Sequence, residues 1–298
     1  MDRFEEIHTF IRVVDNGSLS AAADKLNLAK SAVSRRLSEL ESRLGVQLLQ
    51  RTTRRINLTD AGQRFYQRCS QILADLEDSE REASTEQSQL CGTVRIAAPL
   101  SFGIQHLSPL LDQFLIQHSE LNLDLKLTDR VINLMEEGVD LGIRIGRLKD
   151  SSFQARKLSS CQQLICASPS YLKQYGTPQT MDDLVHHHGL VYSNIPEAQL
   201  WTYRHQDGRS GSVRVPSRLR ADNGDVLLQA AIDGLGILPT VSFIAYRAIK
   251  QGLLVPILQA YSREDLGIYA IYPAQRHLPL RIRTLIDFLV TEYGSQPY

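Results

Sequence analysis

The chain has 298 residues, enough for two or three domains that each bury a core. Its 33 basic and 33 acidic residues cancel, so the overall charge gives no argument for a polyanionic partner, and its four irregularly spaced cysteines exclude a disulfide framework and suit a reducing cytosol. Nothing resembles a signal peptide and no apolar run is long enough to cross a bilayer, which predicts a cytoplasmic protein without a membrane partner.

In chain order, Phe4, Ile7, Ile11 and Val14 form one apolar helical stripe, closed by Asn16-Gly17. Ser18 or Ser20 is positioned to cap a second helix, in which Ala21, Ala22 and Ala23 permit close approach by a neighbour. Asn27 makes the turn into a third helix with two unlike faces. Val33, Leu37, Leu40 and Leu44 point into a core, while Ser31, Arg35, Ser38 and Ser42 lie opposite, with Ser34 on the flank. Small hydroxyls and one long base let a helix lie deep in a DNA groove and donate to phosphates and base edges. Gly45 stops the helix, and Val46, Leu48, Ile56 and Leu58 alternate as two short strands. The hairpin between them carries Arg51, Arg54 and Arg55. From Lys25 to Leu58 there are eight bases and two acids, so the cancelling total hides a local basic patch. A polar helix beside a basic hairpin predicts a DNA-binding winged helix-turn-helix.

Residues 1 to about 90 resemble the N-terminal domain of the LysR-type transcriptional regulators, through the run SLSAAADKLNLAKSAVSRRLSELESRLGVQLLQRTTRRINLTDAG. One departure, Leu49 where the family more often has Phe, is a core exchange; another, Lys30-Ser31, affects which operator is read. The resemblance implies that Lys30, Ser31, Ser34, Arg35, Arg36 and Ser38 face the major groove of double-stranded operator DNA, with Arg51, Arg54 and Arg55 on the backbone or the adjacent minor groove.

Thr59 caps a long helix in which Phe65, Cys69, Ile72, Leu76 and Ala83 recur close to a coiled-coil seam, with acidic residues on the other faces. A narrow apolar stripe on so long a helix calls for a partner chain, and the resemblance implies that this helix dimerises. From Thr93 strands alternate with helices: strands at 94–98, 121–127, 140–145 and 164–167, helices over 104–114, 131–137, 224–233, 241–251 and 280–293, and a last strand at 267–272. That order predicts an α/β, mostly parallel, doubly wound sheet whose ligands sit beyond the carboxyl ends of strands. The phrases DLGIRIG, ASPSYL, DGLGILP and RTLIDFL resemble the regulatory domain of the same family, implying two α/β lobes like a periplasmic binding protein. The expected domains are the winged helix-turn-helix at 1–58, the linker helix and hinge at 59–91, and the effector-binding domain at 92–298. Its first lobe spans about 92–161 and 267–298, its second about 162–266, with crossings near Cys161 and Leu266.

The end of the first strand, Pro99-Leu100-Ser101-Phe102, is where such a sheet places a ligand, and Ser101 at a helix start would attract an anion. The resemblance adds Thr128, Arg144-Ile145-Gly146, Tyr203 and Asn223. Arg144 would hold a carboxylate unless it pairs with Asp140 or Asp129, and Phe102 and Tyr203 would wall in a small aromatic or aliphatic acid. Three other features carry less. Gly234-Leu235-Gly236 lacks a third glycine and precedes a strand, the reverse of a phosphate-binding turn. His186-His187-His188 is consecutive and does not converge on a metal. Cys166 sits inside an apolar strand, which silences a thiol, although its pairing with Cys161 would suit a redox sensor. With no P-loop, metalloprotease or nucleophile motif, neither an enzyme nor a cofactor is expected. The sequence reads as a ligand-responsive transcription regulator acting as a dimer or tetramer, with RNA polymerase as a further partner. One rival is a small-molecule binding protein or enzyme whose N-terminal helices only mediate assembly; another is a constitutive regulator whose cleft holds no ligand, so that the lobes serve only assembly.

Overall fold

The computed structural model describes residues 2–51, 56–83, 90–147, 153–262, 265–274 and 278–294. It divides into two compact units, Met1–Gly92 with Met135–Gly138, and Thr93–Leu134 with Val139–Tyr298. No described helix is long and apolar enough to cross a membrane.

The first unit holds α1 (Arg3–Asn16), α2 (Leu19–Leu26), α3 (Lys30–Leu44), the strands β1 (Leu49–Arg51) and β2 (Ile56–Leu58), and α4 (Asp60–Ala83). Each joint has a local cause. Gly17 and Gly45 end α1 and α3 in the left-handed region at φ 61° and 69°, where a Cβ is disfavoured. Ser18, not Ser20, caps α2 by accepting the Ala21 amide, and Asn27 takes φ 52° to turn into α3. Val33, Leu37 and Leu40 are wholly buried against Phe10, Val13 and Ala22. Each of these core leucines and valines stabilises the unit by roughly 1.5–3 kcal/mol. Thr59 caps α4, its hydroxyl accepting the Gly62 amide. Gly62 has no side chain because a Cβ would collide with the Leu48 carbonyl, so α4 is seated directly on the hairpin.

The second unit begins with β3 (Gly92–Ala98), the short α5 (Leu100–Phe102), a π-helical turn (Gly103–Leu107) and α6 (Ser108–Gln117). Strands β4 (Leu121–Leu127), β5 (Leu141–Gly146) and β6 (Phe153–Cys161) complete its first half. The middle of the chain supplies β7 (Gln163–Ala167), α7 (Pro169–Tyr175), β8 (Gly189–Tyr192), β9 (Leu200–His205), β10 (Ser210–Arg214) and β11 (Ser217–Ala221). Then come α8 (Gly224–Ile232), β12 (Leu238–Val241), α9 (Ser242–Lys250), β13 (Val255–Pro256) and β14 (Tyr261–Ser262). Finally β15 (Leu266–Pro273) returns to the first half, followed by α10 (Leu280–Gly294).

One sheet has the order β4-β3-β5-β15-β6; the strands from β7 to β14 form separate smaller sheets. The expectation of a mostly parallel arrangement is corrected to a mixed one. β3 and β5 run parallel, whereas β15 is antiparallel to both β5 and β6. The reason is topological: β6 leaves the sheet at Cys161, β15 enters it at Leu266, and these two residues are paired, so the strands must run in opposite directions. A second correction concerns 131–137, which forms no helix. Residues 134–138 are turns, closed by Gly138 at φ 63°, with Leu134 and Val139 buried in the core beside Ala97 and Ile271 and Ile132 packed against it. Too short a segment with two β-branched residues at its start does not nucleate a helix.

Candidate functional site

On α3 the two faces separate as the spacing requires. Lys30, Ser31, Arg35 and Ser38 are exposed, and Ser34 is half-buried on the flank. Arg35 meets Glu39 one turn on at 3.7 Å, an exposed pair that phosphate or a base edge displaces at little cost. Ser38 bonds back to the Ser34 carbonyl at 3.0 Å, which leaves its oxygen lone pairs outward. Arg36 departs from the expectation. Its guanidinium is 2.9 Å from Glu5 and 3.4 Å from the Thr9 hydroxyl, both on α1, so it clamps two helices together instead of facing outward. Arg43, seven residues on, repeats the clamp on buried Glu6 at 2.7 and 3.0 Å. Glu41 accepts the Leu48 and Leu49 amides at 2.8 and 3.0 Å and so pins the start of the hairpin to α3. Arg54, Arg55 and the side chain of Arg51 lie outside the described residues.

In the second unit a cavity of about 400 Å³ opens between the β3–β5 end of the five-stranded sheet and the elements from β7 to α9. That volume falls within the range of small-molecule sites. Of the residues expected there, Pro99, Ser101, Phe102, Thr128, Arg144 and Ile145 line it. Leu100, Gly146, Tyr203 and Asn223 do not. Leu100 gives its amide to Asp129 at 2.9 Å, and Gly146 lies in the sheet opposite Gly267. Tyr203 packs its ring on Tyr261, 5.3 Å between centroids, within the core of the second half. Asn223 caps α8 and donates to Asp129 Oδ2 at 3.2 Å.

The walls are mainly apolar, from Phe102, Trp201, Leu227, Phe243 and Ile244, with polar groups at few points. Arg144 is half-buried; its one hydrogen bond among the described residues runs from Nη2 to the Ile132 carbonyl at 3.2 Å. It pairs with neither Asp140, which accepts the Arg95 amide, nor Asp129, which is taken by Leu100 and Asn223. Trp201, Tyr192 and Asn194 were missed from sequence. The last two stand at and just past the carboxyl end of β8, so the strand-end rule used for β3 would have found them. Burial holds the Tyr192 phenol above its usual range, with Asn194 donating to its oxygen at 3.2 Å.

The features set aside have ordinary positions. Gly234, at φ 78°, ends α8, and a side chain on Gly236 would meet the His188 carbonyl at 2.5 Å. The buried His187 ring bonds the Tyr171 hydroxyl through Nδ1 at 3.2 Å, and the same hydroxyl accepts the His188 amide. Cys161 and Cys166 are buried, and burial pushes both thiols up to about 12, with Asp265 adding to the effect at Cys161. At neutral pH neither supplies a thiolate.

Residues 4–63 match the bacterial regulatory helix-turn-helix protein, lysR family, and residues 87–294 match the LysR substrate binding domain. An HTH-type transcriptional regulator of Haemophilus influenzae is 37% identical over 95% of this chain and 98% of its own. The structure of CrgA, a LysR-type transcriptional regulator from Neisseria meningitidis, is 33% identical, with a TM-score of 0.63 over 97% of this chain and 98% of that one. The full-length structure of AphB, the Vibrio cholerae virulence activator, is 27% identical, with a TM-score of 0.62 over 97% and 99%.

Proposed function

Because the chain belongs to the LysR family of bacterial transcriptional regulators, with its helix-turn-helix and substrate-binding domains both present, we propose that a small organic acid bound in the cavity modulates its operator binding or promoter activation. Arg144 carries this reading. It is a half-buried guanidinium at the edge of an apolar cavity, and among the described residues its bond to Ile132 leaves donors over. A desolvated guanidinium favours a planar anion, which it binds through charge-assisted, paired hydrogen bonds. Phe102, Trp201 and Phe243 then receive an aromatic or branched aliphatic body. Ser31, Arg35 and Ser38 read the major groove, the hairpin arginines hold the backbone, and α4 brings two chains together so that two recognition helices meet two half-sites. Pairing of the cavity-bearing units makes a tetramer, and RNA polymerase is the partner through which promoter activation acts. No catalytic step is assigned to the chain.

The test is a thermal-shift screen of small aromatic and aliphatic acids on the full chain. A ligand that binds only the native form raises Tm in step with its occupancy. We expect at least one acid to do so, and Arg144→Ala to remove the rise while melting close to wild type without ligand. If no acid shifts Tm, the cavity is not an effector site and the chain acts as a constitutive regulator.

A further inference from the structure

A serine hydroxyl has one proton and two lone pairs, so what it offers a ligand depends on where the proton is already given. Ser101 lines the cavity and is 4% exposed. Its hydroxyl donates to Asp225 Oδ2 at 2.7 Å, and Gln105 donates to Oδ1 of the same carboxylate at 3.0 Å. Both oxygens of Asp225 are therefore engaged from the β3 side of the cleft. The carboxylate is also fixed from its own side. It lies in the first turn of α8, where Asn223 accepts the Asp225 and Val226 amides and holds the helix start to Asp129. Gly224, which lines the cavity next to Ser101, has no side chain; a Cβ there would press on Ile244 at 2.7 Å.

Ser101 consequently cannot do what its position at a helix start suggests. An anion placed against it would find no proton to accept and would face the charge of Asp225 across a single hydroxyl, in surroundings where like charges repel strongly. We propose that Asp225 sets the ligand specificity of the cavity by taking the Ser101 proton, so that Ser101 presents an acceptor. The effector class that fits is an acid with one anionic group, held by Arg144, and a hydrogen-bond donor (an amino, hydroxyl or amide N–H group) directed at Ser101. Dicarboxylates are excluded at that end. The inference rests on the cavity being the effector site.

Acetate serves as the probe because it carries the carboxylate and the charge that Asp225→Ala removes. Asp225→Ala in the full chain frees the Ser101 and Gln105 donors and leaves room for a carboxylate. We expect sodium acetate, relative to sodium chloride at equal ionic strength, to raise the Tm of this variant saturably by about 2–4 °C more than that of wild type. In the double variant Ser101→Ala/Asp225→Ala the extra rise should be at least halved. Asp225→Ser, which also shortens the side chain and suits a helix start, reports the same difference if the alanine variant does not fold. An acetate response equal to that of wild type, or one that survives removal of Ser101, overturns the proposal. Failure of the effector reading itself registers separately, as a wild-type chain that no organic acid stabilises.

Discussion

Arg35 and Arg36 are neighbours in sequence with different work. Successive helical residues point about 100° apart, so Arg35 falls on the exposed face while Arg36 falls beside the Val33–Leu37–Leu40 stripe and reaches Glu5. The pairing was legible in the heptad spacing of Arg36 and Arg43 against the adjacent acids Glu5 and Glu6, but only once α1 and α3 were known to cross. Arg35→Ala should cost roughly 1–3 kcal/mol on a selected operator and less on random duplex, measured by fluorescence anisotropy. Equal losses on both would mean that Arg35 only neutralises phosphate. His187 offers a second residue-scale test. Burial lowers its pKa, opposed by Asp183 and reinforced by His188 and His186. An unfolded imidazole titrates near about 6.5, so below that pH the unfolded chain binds a proton that the native chain refuses. The stability tied to His187 is therefore complete above that pH and is lost as pH falls from there toward the lowered native value. Melting curves across this range should show a shallower fall for His187→Gln than for wild type; parallel curves would remove His187 from the acid response.

At the scale of elements, α4 divides where its periodicity does not. The stripe Phe65, Cys69, Ile72, Leu76 reads as one seam, yet the Phe65 ring meets Phe10 at a tilt, 5.6 Å between centroids, and Cys69 is buried in the core of the helix-turn-helix, whereas Ile72 is 52% exposed. Period alone cannot tell an internal contact from an external one, since both require the same face. The exposed part is the portion available to a second chain, and Ile72→Asp tests it with little effect on the isolated fold. Sedimentation at low micromolar concentration should show a shift toward monomer, because an unpaired charge in a helical seam is poorly tolerated. An unchanged species would place the dimer contact elsewhere. The 131–138 segment shows the opposite limit. Its apolar spacing reads as a helix, but Ile132 and Leu134 both line the cavity and pack on the same core beside Ala97 and Ile271, and residues two apart share a face in an extended chain and not in a helix.

For the whole molecule, the order of strands and helices was readable, and so were the strand ends that build half of the cavity, because β3 and β5 are local, apolar and bounded by Pro99 and Gly146. The far wall was not. Tyr203 and Trp201 share a strand face, and only the closure of β9 against β10 and β14 decides that the indole reaches the cavity while the phenol packs on Tyr261. Such pairings between remote segments leave no periodic trace in the chain. The link between cavity and DNA is tested most directly by titrating a duplex selected from a random pool, with and without an acid that raises Tm, for wild type and Arg144→Ala. We expect the acid to change the operator Kd of the wild type by about fivefold or more, as usual for coupled sites, and to leave the variant unmoved. An acid that stabilises the protein through Arg144 yet leaves operator affinity and promoter output unchanged would contradict a cavity that governs transcription.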